Sequence, residues 1–201
     1  RTFIQMGTIL PRESHDLKAF IERQGGSYME CPVLGSRDKA RTGELILMVG
    51  STKEQFERLS PLLGVLGLSL RHVGEVGQAA ALKLALNQLI ITLAASFSLS
   101  LGMVLREGVC VEDFMAILRE SALYAPTFDK KLPRLLSRDF SDPNFPVRHM
   151  LKDVRLILQQ AKHSGLDASL LIMLENLLTR AVDQGLADQD YSAVYRVLNP
   201  Q

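Results

Sequence analysis

A lysine and an asparagine four residues apart are the side chains in this sequence best placed to do chemistry. Lys83 and Asn87 follow Gly77 in a stretch of residues 77–87 that otherwise holds small and apolar residues and one glutamine. Positions i and i+4 of a helix lie on one face, so the two side chains point the same way. A lysine where an apolar helix begins is partly desolvated, which lowers its pKa and makes it a candidate proton donor. On spacing alone, a lysine whose ammonium snorkels at a helix end is the simpler interpretation.

Two polar turns follow predicted strands in the first third of the chain. Thr8 comes directly after the first strand, where ligands sit in a doubly wound sheet. Gly35 and Ser36 follow the second strand, and their backbone N–H groups suit an anion. Each also has a simpler interpretation, as a turn threonine and an ordinary loop.

A third polar segment lies in the second half of the chain. Phe145 enters a predicted helix whose next turns carry the adjacent charges Lys152 and Asp153. An aromatic ring beside a charge pair is compatible with a binding pocket. A surface ion pair is the simpler interpretation.

Composition excludes several classes of function. The chain has 201 residues, 47% of them apolar, and a net charge of +1, which favours neither nucleic acid nor an anionic membrane as a partner. Cys31 and Cys110 lie far apart in sequence, which argues against a zinc site and a disulfide scaffold. The four histidines form no HExxH motif, so we expect no metal. A reducing cytoplasm is the expected compartment.

The pattern of apolar residues predicts an α/β sheet followed by helices only. Strands are predicted at 3–6, 27–33, 44–49 and 68–73, with helices between them. Ser51 with Glu54 predicts the capping box of the helix that ends near residue 63. From Gln78 onward every predicted element is a helix. We therefore expect a partial Rossmann domain over residues 1–76 and an all-α domain, built on one long central helix, over residues 77–201.

The long helix raises a further question because residues 84–105 carry no charge. By length this segment could span a bilayer, but its several polar side chains favour a helix buried on all sides. Ala94, Ser98 and Gly102 form a stripe of small residues that would let another helix approach closely. This stripe and the apolar helix together predict a homodimer or tetramer.

Taken together, the four segments in this order resemble the β-hydroxyacid dehydrogenase family, which includes 3-hydroxyisobutyrate dehydrogenases and glyoxylate/succinic semialdehyde reductases. Residues 190–193, Asp-Tyr-Ser-Ala, also match a D-x-S-A segment typical of the family. The resemblance covers essentially the whole chain. It implies a Rossmann domain related to that of 6-phosphogluconate dehydrogenase, a helical domain, NADP or NAD as cofactor, and a small carboxylic acid as substrate.

The resemblance also implies roles for single residues. Lys83 resembles the catalytic lysine, whose ammonium protonates the carbonyl oxygen as hydride arrives from the nicotinamide. Asn87 resembles the residue that orients the substrate. The remaining residues fall into three groups by implied role: cofactor contacts at Thr8 and Lys152, the substrate-carboxylate loop at Gly35 and Ser36, and pocket residues at Phe145 and Asp153.

Two departures from the family pattern bear on specificity. The family's Pro-Val pair is usually followed by Ser-Gly, and here Leu34-Gly35 follows, which favours a more apolar substrate. Ala79 stands at the position of the second glycine of the family's GxGxxxK motif. Its methyl group narrows the space for a substrate to approach the helix N-terminus. The lysine is retained, which argues against the imine reductase relatives that usually replace it.

The sequence contains no GxGxxG turn, which such a sheet needs to bind a dinucleotide by itself. We therefore expect the chain to begin inside the nucleotide-binding domain and to bind cofactor poorly as given. The leading hypothesis is an NAD(P)-dependent oxidoreductase that interconverts a small hydroxy acid and its aldehyde or keto acid. The alternative is a non-catalytic helical dimerisation or ligand-binding module.

Overall fold

A computed structural model describes residues 1–200 of the chain. Its five strands are β1 (Thr2–Gln5), β2 (Ser27–Glu30), β3 (Val33–Leu34), β4 (Ile46–Gly50) and β5 (Ser69–Gly74). Its helices are α1 (Pro11–Arg23), α2 (Arg37–Arg41), α3 (Lys53–Leu63), α4 (Gln78–Arg106), α5 (Val111–Glu120), α6 (Pro126–Ser137), α7 (Val147–His163), α8 (Ser169–Asp183) and α9 (Val194–Leu198), with a 3-10 turn at Tyr191–Ala193 before α9.

The chain divides into two compact units. The division falls within α4 and within α7, so the two ends of each of these helices belong to different units. Among the described residues, 1–87 and 156–166 form the first unit, and 88–155 and 167–200 form the second. The predicted fold class, a partial Rossmann sheet followed by helices built on one long helix, is confirmed. The predicted domain boundary between residues 76 and 77 stays a prediction.

The first unit is built on a mixed five-stranded sheet. β1 pairs with β2 in parallel, and β4 pairs with β5 in parallel. β2 and β3 are successive parts of one extended segment that runs antiparallel to β4, with Glu30 opposite Gly50 and Val33 opposite Leu47. β4 reads Ile-Leu-Met-Val-Gly, as expected of a strand covered on both faces. The core of this unit contains Met29, Cys31, Leu47, Val49 and Leu63.

The helix α3 begins one residue later than the sequence pattern predicted. The N-cap is Thr52, whose hydroxyl accepts a hydrogen bond from the Gln55 amide at 3.3 Å, and Gln55 Oε1 accepts one from the Thr52 amide at 3.1 Å. The expected Ser51–Glu54 box is therefore wrong, because the Ser51 hydroxyl donates to the Thr52 carbonyl instead. Two overlapping S/T-x-x-E/Q patterns cannot be told apart by spacing.

The second unit is a helical core around the C-terminal part of α4. Phe97 of α4 stacks on Phe128 of α6 at 4.5 Å between ring centroids, and α5, α7 and α8 contribute further buried side chains. Each unit contains one free cysteine: Cys31 is buried in the core of the first unit, and Cys110 is exposed just before α5. Burial raises the pKa of the Cys31 thiol to about 11.

The long helix α4 is not buried on all sides, contrary to the sequence-based expectation. Among the described residues it is long and apolar enough to cross a membrane by length and composition, and 33% of its most apolar window is buried. Leu89, Leu99 and Met103 are 53%, 50% and 57% exposed. Its apolar character therefore includes an outer face that the described residues leave uncovered.

The small-residue stripe of α4 packs inside the chain. Ala94, Ser98 and Gly102 are buried, and Asn199 Nδ2 donates a hydrogen bond to the Ser98 carbonyl oxygen at 2.8 Å. A Cβ at Gly102 would lie only 1.6 Å from Asn199 Oδ1, so the glycine makes room for this amide. The stripe therefore receives the segment after α9, and it does not support the expected association with another chain.

Candidate active site

The start of α4 is fixed by a glycine in a backbone conformation that disfavours side chains. Gly77 has φ +98°, and a Cβ at this position would lie 2.5 Å from His15 Nε2. Lys83 lies six residues further on and is half-buried, and Asn87 is buried. The helix between them is continuous, so both predicted side chains occupy the face that the i, i+4 spacing requires.

A buried carboxylate holds the first amides of this helix. Glu30, at the end of β2, is 1% exposed, and its Oε1 accepts hydrogen bonds from the amides of Gly77, Ala79 and Ala80 at 2.8, 2.8 and 3.0 Å. These amides belong to the group that has no partner within a helix, so the carboxylate satisfies them and complements the helix dipole. The Ser14 hydroxyl donates to Glu30 Oε2.

The predicted anion loop, Gly35 and Ser36, follows the same extended segment. Gly35 has φ +152°, and a Cβ there would lie 2.7 Å from Leu45 Cδ2. Ser36 occupies the N-cap position of α2, its side chain does not cap that helix, and the residue is half-buried. The loop turns through a backbone conformation that favours glycine, and the binding of an anion by Gly35 and Ser36 stays a prediction.

Thr8 lies where the sequence placed it, after the carboxyl end of β1. It is half-buried, and the preceding Gly7 is exposed. Because β1 and β2 are parallel, Thr8 and Cys31 follow strand ends at the same edge of the sheet. This edge is where open α/β sheets bind ligands.

The second unit contains the other three predicted site residues. Lys152 Nζ lies 2.6 Å from Asp153 Oδ1; the Lys152 side chain is 53% exposed and that of Asp153 only 3%. Phe145 is half-buried and packs against the Tyr191 ring with 6.1 Å between centroids. The structure thus places Thr8, Gly35, Ser36, Lys83 and Asn87 in one unit, and Phe145, Lys152 and Asp153 in the other. The roles of all eight stay predictions.

Sequence reasoning missed a buried ion pair in the second unit. Lys131 Nζ lies 2.6 Å from Asp190 Oδ1, and both side chains are almost fully buried. The ammonium also lies 4.3 Å from the centroid of the Tyr191 ring. Lys131 follows the exposed Lys130, and nothing in a Lys-Lys pair says which of the two is buried. The D-x-S-A segment was the one sequence signal for this ion pair. It indicated Asp190 but not its partner, Lys131.

This ion pair supports the segment that carries Phe145. Asp190 Oδ2 accepts a hydrogen bond from the Asn144 amide at 3.1 Å, and the Phe145 carbonyl accepts one from the Tyr191 amide at 2.8 Å. Ser192 also donates to Asp190, through its amide and its hydroxyl. The D-x-S-A segment therefore fixes the backbone on both sides of the Asn144–Phe145 peptide bond.

Metal-ligating side chains do not cluster in the described part of the chain: residues 1–200 contain no group of three or more that could hold a metal ion.

Comparison with known proteins covers nearly the whole chain. Residues 1–74 match the family model of the NAD-binding domain of 6-phosphogluconate dehydrogenase, and residues 77–198 match that of the NAD-binding domain of NADP-dependent 3-hydroxyisobutyrate dehydrogenase. The predicted cofactor class, NADP or NAD, is confirmed by these models.

Two curated relatives come from Arabidopsis thaliana. Glyoxylate/succinic semialdehyde reductase 1 is 30% identical over 192 residues, which is 96% of this chain and 66% of the relative. The chloroplastic glyoxylate/succinic semialdehyde reductase 2 is 29% identical over 98% of this chain and 54% of its own length. The chain thus spans between half and two thirds of these relatives.

A solved structure shows the same fold. The 3-hydroxyisobutyrate dehydrogenase of Mycobacterium tuberculosis superposes with a TM-score of 0.89 at 22% identity, over 98% of this chain and 69% of that one. Together with the family models, which account for residues 1–74 and 77–198, this places the chain in the β-hydroxyacid dehydrogenase family.

Proposed function

We propose that the complete protein is an NAD(P)-dependent oxidoreductase that interconverts a small 2- or 3-hydroxy acid and its aldehyde or keto acid, with Lys83 as general acid and base. The observation that carries the proposal is the start of α4. In a chain of this family, a half-buried lysine and a buried asparagine lie on one face of a helix whose first amides are held by a buried carboxylate.

The residues present fit a nicotinamide cofactor by the chemistry of their donors. Thr8, a half-buried residue at the carboxyl edge of the sheet, carries a hydroxyl, and Lys152, whose side chain is 53% exposed, carries an ammonium. Each residue is proposed separately as a contact of the cofactor, which would supply the hydride when bound.

The other residues act on the substrate. The Lys83 ammonium donates a proton to the carbonyl oxygen during reduction and, as the neutral amine, takes it back during oxidation. The Asn87 amide orients the substrate, and the N–H groups of Gly35 and Ser36 bind its carboxylate. For Phe145 and Asp153 we propose the role that the resemblance implies, that of residues near the substrate. Leu34, in the place of the family's serine, favours an apolar substituent beside the carboxylate.

The test is the variant Lys83→Ala in the complete protein, assayed with glyoxylate, succinic semialdehyde, tartronate semialdehyde and 3-hydroxyisobutyrate. We expect kcat to fall by about 10²- to 10⁴-fold while NADPH binding, followed by fluorescence, persists. Lys53→Ala, an exposed lysine on α3, is the matched control. Turnover within about threefold of wild type in Lys83→Ala would remove the general-acid role.

If the complete wild-type protein turns over none of these substrates, the alternative of a non-catalytic helical dimerisation or ligand-binding module gains. The cytoplasm stays the proposed compartment, in keeping with two cysteines that are both free.

Association with a second copy is also proposed, now on the outer face of α4. Its outer seam consists of residues spaced alternately three and four apart: Leu82, Ala85, Leu89, Thr92, Ser96, Leu99 and Met103. All except the half-buried Thr92 are exposed, and the seam contains no charge. This spacing is that of helices which pack along their length, so the same seam of a second copy is a suitable partner.

Sedimentation of Leu99→Glu tests this association. We expect the wild type to sediment as a dimer or tetramer and the variant as a single chain, because a buried glutamate at the seam is costly. Met173→Glu places the same charge at an exposed apolar position of α8 and should keep the wild-type mass. A wild type that sediments as one chain would rule out the proposed assembly.

A further inference from the structure

Glu30 is a buried charge for which the proposed reaction has no direct use. It lies at the end of β2, and its neighbours Tyr28, Met29 and Cys31 are completely buried. Its donors are three backbone amides of the α4 N-terminus and the Ser14 hydroxyl. A carboxylate removed from water costs several kcal/mol unless hydrogen bonds replace its hydration, and four donors do so here.

The surroundings are shaped to hold this carboxylate in one place. A Cβ at Gly50, the residue paired with Glu30 across the sheet, would lie 2.4 Å from Glu30 Oε1 and 2.7 Å from its Cγ. Only glycine leaves this space. The Tyr28 hydroxyl lies 2.8 Å from Ser14 Oγ, and because Ser14 donates to Glu30, Tyr28 donates to Ser14. The carboxylate is thus fixed on both oxygens.

Glu30 connects the two segments on which the predicted chemistry depends. Four residues beyond it on the same extended segment, Leu34 ends β3, and the anion loop follows at Gly35 and Ser36. On its other side it holds Ala79 and Ala80, which precede Lys83 by about one helical turn. All these residues belong to one compact unit.

We propose that Glu30 is a positioning residue that sets the height and rotation of α4, and with it Lys83, relative to the carboxylate loop at Gly35 and Ser36. This inference rests on the proposed function, since it gives Lys83 and the loop their roles. A helix start held at three amides by one carboxylate cannot slide or turn without breaking those bonds. Proton transfer requires heavy atoms about 2.6–3.2 Å apart, so a shift of 1 Å at Lys83 is enough to slow it.

The experiment compares Glu30→Gln and Glu30→Asp with wild type in the complete protein, well below their melting temperatures. Gln keeps the length of the side chain but weakens each amide bond by removing the charge, whereas Asp keeps the charge and withdraws it by one methylene. We expect kcat per folded molecule to fall about tenfold in Glu30→Gln and further in Glu30→Asp. The substrate KM should stay within about threefold, and NADPH affinity should not change.

Two readouts separate positioning from mere stability. A misplaced lysine makes proton transfer slower, so the solvent deuterium isotope effect on kcat should rise in both variants. Amide hydrogen exchange at residues 77–80 should quicken at least tenfold while exchange in α8 stays as in wild type. The control is Leu63→Ala, a core truncation in the same unit, which should lower Tm without changing the isotope effect.

An unchanged isotope effect and unchanged kcat in Glu30→Gln would overturn the inference. If Glu30→Gln does not fold, Ser14→Ala takes its place, because it keeps the carboxylate and removes one donor; unchanged exchange at residues 77–80 would then overturn it. If the wild type turns over no hydroxy acid, the proposed function fails while the exchange measurement still decides whether Glu30 holds the helix start.

Discussion

The two units each contain a buried carboxylate at the centre of a hydrogen-bond network, and they stabilise it differently. Glu30 is 1% and Asp190 0% exposed. Glu30 is held by neutral dipoles, namely helix amides and a hydroxyl, whereas Asp190 contacts the Lys131 ammonium in addition to the Asn144 and Ser192 amides. Dipoles that belong to a helix start are fixed by the fold, so Glu30 can locate that helix. The Lys131 ammonium stabilises the charge of Asp190 as a point charge, which defines no direction.

The difference implies that the charge of Asp190 depends on the Lys131 cation, whereas the four donors of Glu30 are uncharged. In Lys131→Met, Asp190 loses its cation while staying buried, and we expect a loss of about 3–5 kcal/mol in the free energy of unfolding. Urea unfolding measures it. Lys130→Met, the exposed neighbour, should change stability by less than about 0.5 kcal/mol. The double variant Lys131→Met/Asp190→Asn should recover part of the loss, and a loss below about 1 kcal/mol in Lys131→Met would show that the ion pair is not essential.

The pH dependence of stability should reverse its sign in the same variant. Burial raises the pKa of Asp190, but the Lys131 charge and the hydrogen bonds from Lys131 and Ser192 outweigh it and lower the pKa below its usual value. In the wild type, Asp190 therefore contributes stability at pH values above about 3.9, the usual pKa of an aspartate. This contribution is lost as the pH falls. Without Lys131, burial, which is the largest effect, is opposed only by the hydrogen bonds from Ser192, so we expect the pKa to rise and the contribution of Asp190 to stability to be lost as the pH rises. Urea unfolding from pH 4 to 7 compares the two curves, and parallel curves would contradict this account.

A smaller effect is expected where the space around Glu30 is filled. Gly50→Ala places a methyl group against the Glu30 carboxylate, and we expect a loss of about 1–3 kcal/mol because the strand or the carboxylate must move. Gly7→Ala is the control, since its Cβ would meet only the end of the Gln5 side chain, at 3.3 Å. Thermal unfolding measures both. Equal melting temperatures for the two variants would mean that Glu30 tolerates displacement.

The smallest effect concerns the two serines that donate to these carboxylates. Ser14→Ala should cost about 1–2 kcal/mol, and Ser192→Ala, which removes a 2.6 Å hydrogen bond to Asp190, about 0.5–1 kcal/mol. The reason is that Asp190 retains its cation, whereas Glu30 retains only amides. If Ser192→Ala lost more free energy of unfolding than Ser14→Ala, Asp190 rather than Glu30 would be the carboxylate that depends more on its serine.

The elements could be predicted from sequence because their signals are local. Apolar runs and turn residues located the strands, and the uncharged segment after Lys83 located α4. The spacing of Lys83 and Asn87 placed both on one helical face, and the structure has them there. The family followed from short motifs whose order is visible without coordinates.

What could not be predicted depends on partners distant in sequence. Glu30 and the amides of α4 are 47 to 50 residues apart, and Lys131 and Asp190 are 59 apart. The burial of α4 was overestimated because the sequence of an uncharged helix does not show whether a given apolar face packs on the core or stays exposed. The small-residue stripe predicted packing against another chain, because nothing in its spacing shows that Asn199 of the same chain packs there.

The contrast between the two cysteines has a practical consequence. Thiol reagents attack the thiolate, which Cys31 scarcely forms at neutral pH because it is buried and its pKa is about 11. Cys110 is exposed just after α4. Within these 201 residues, a maleimide fluorophore should therefore attach at Cys110, close to the C-terminal end of α4, and report on that helix without an introduced cysteine.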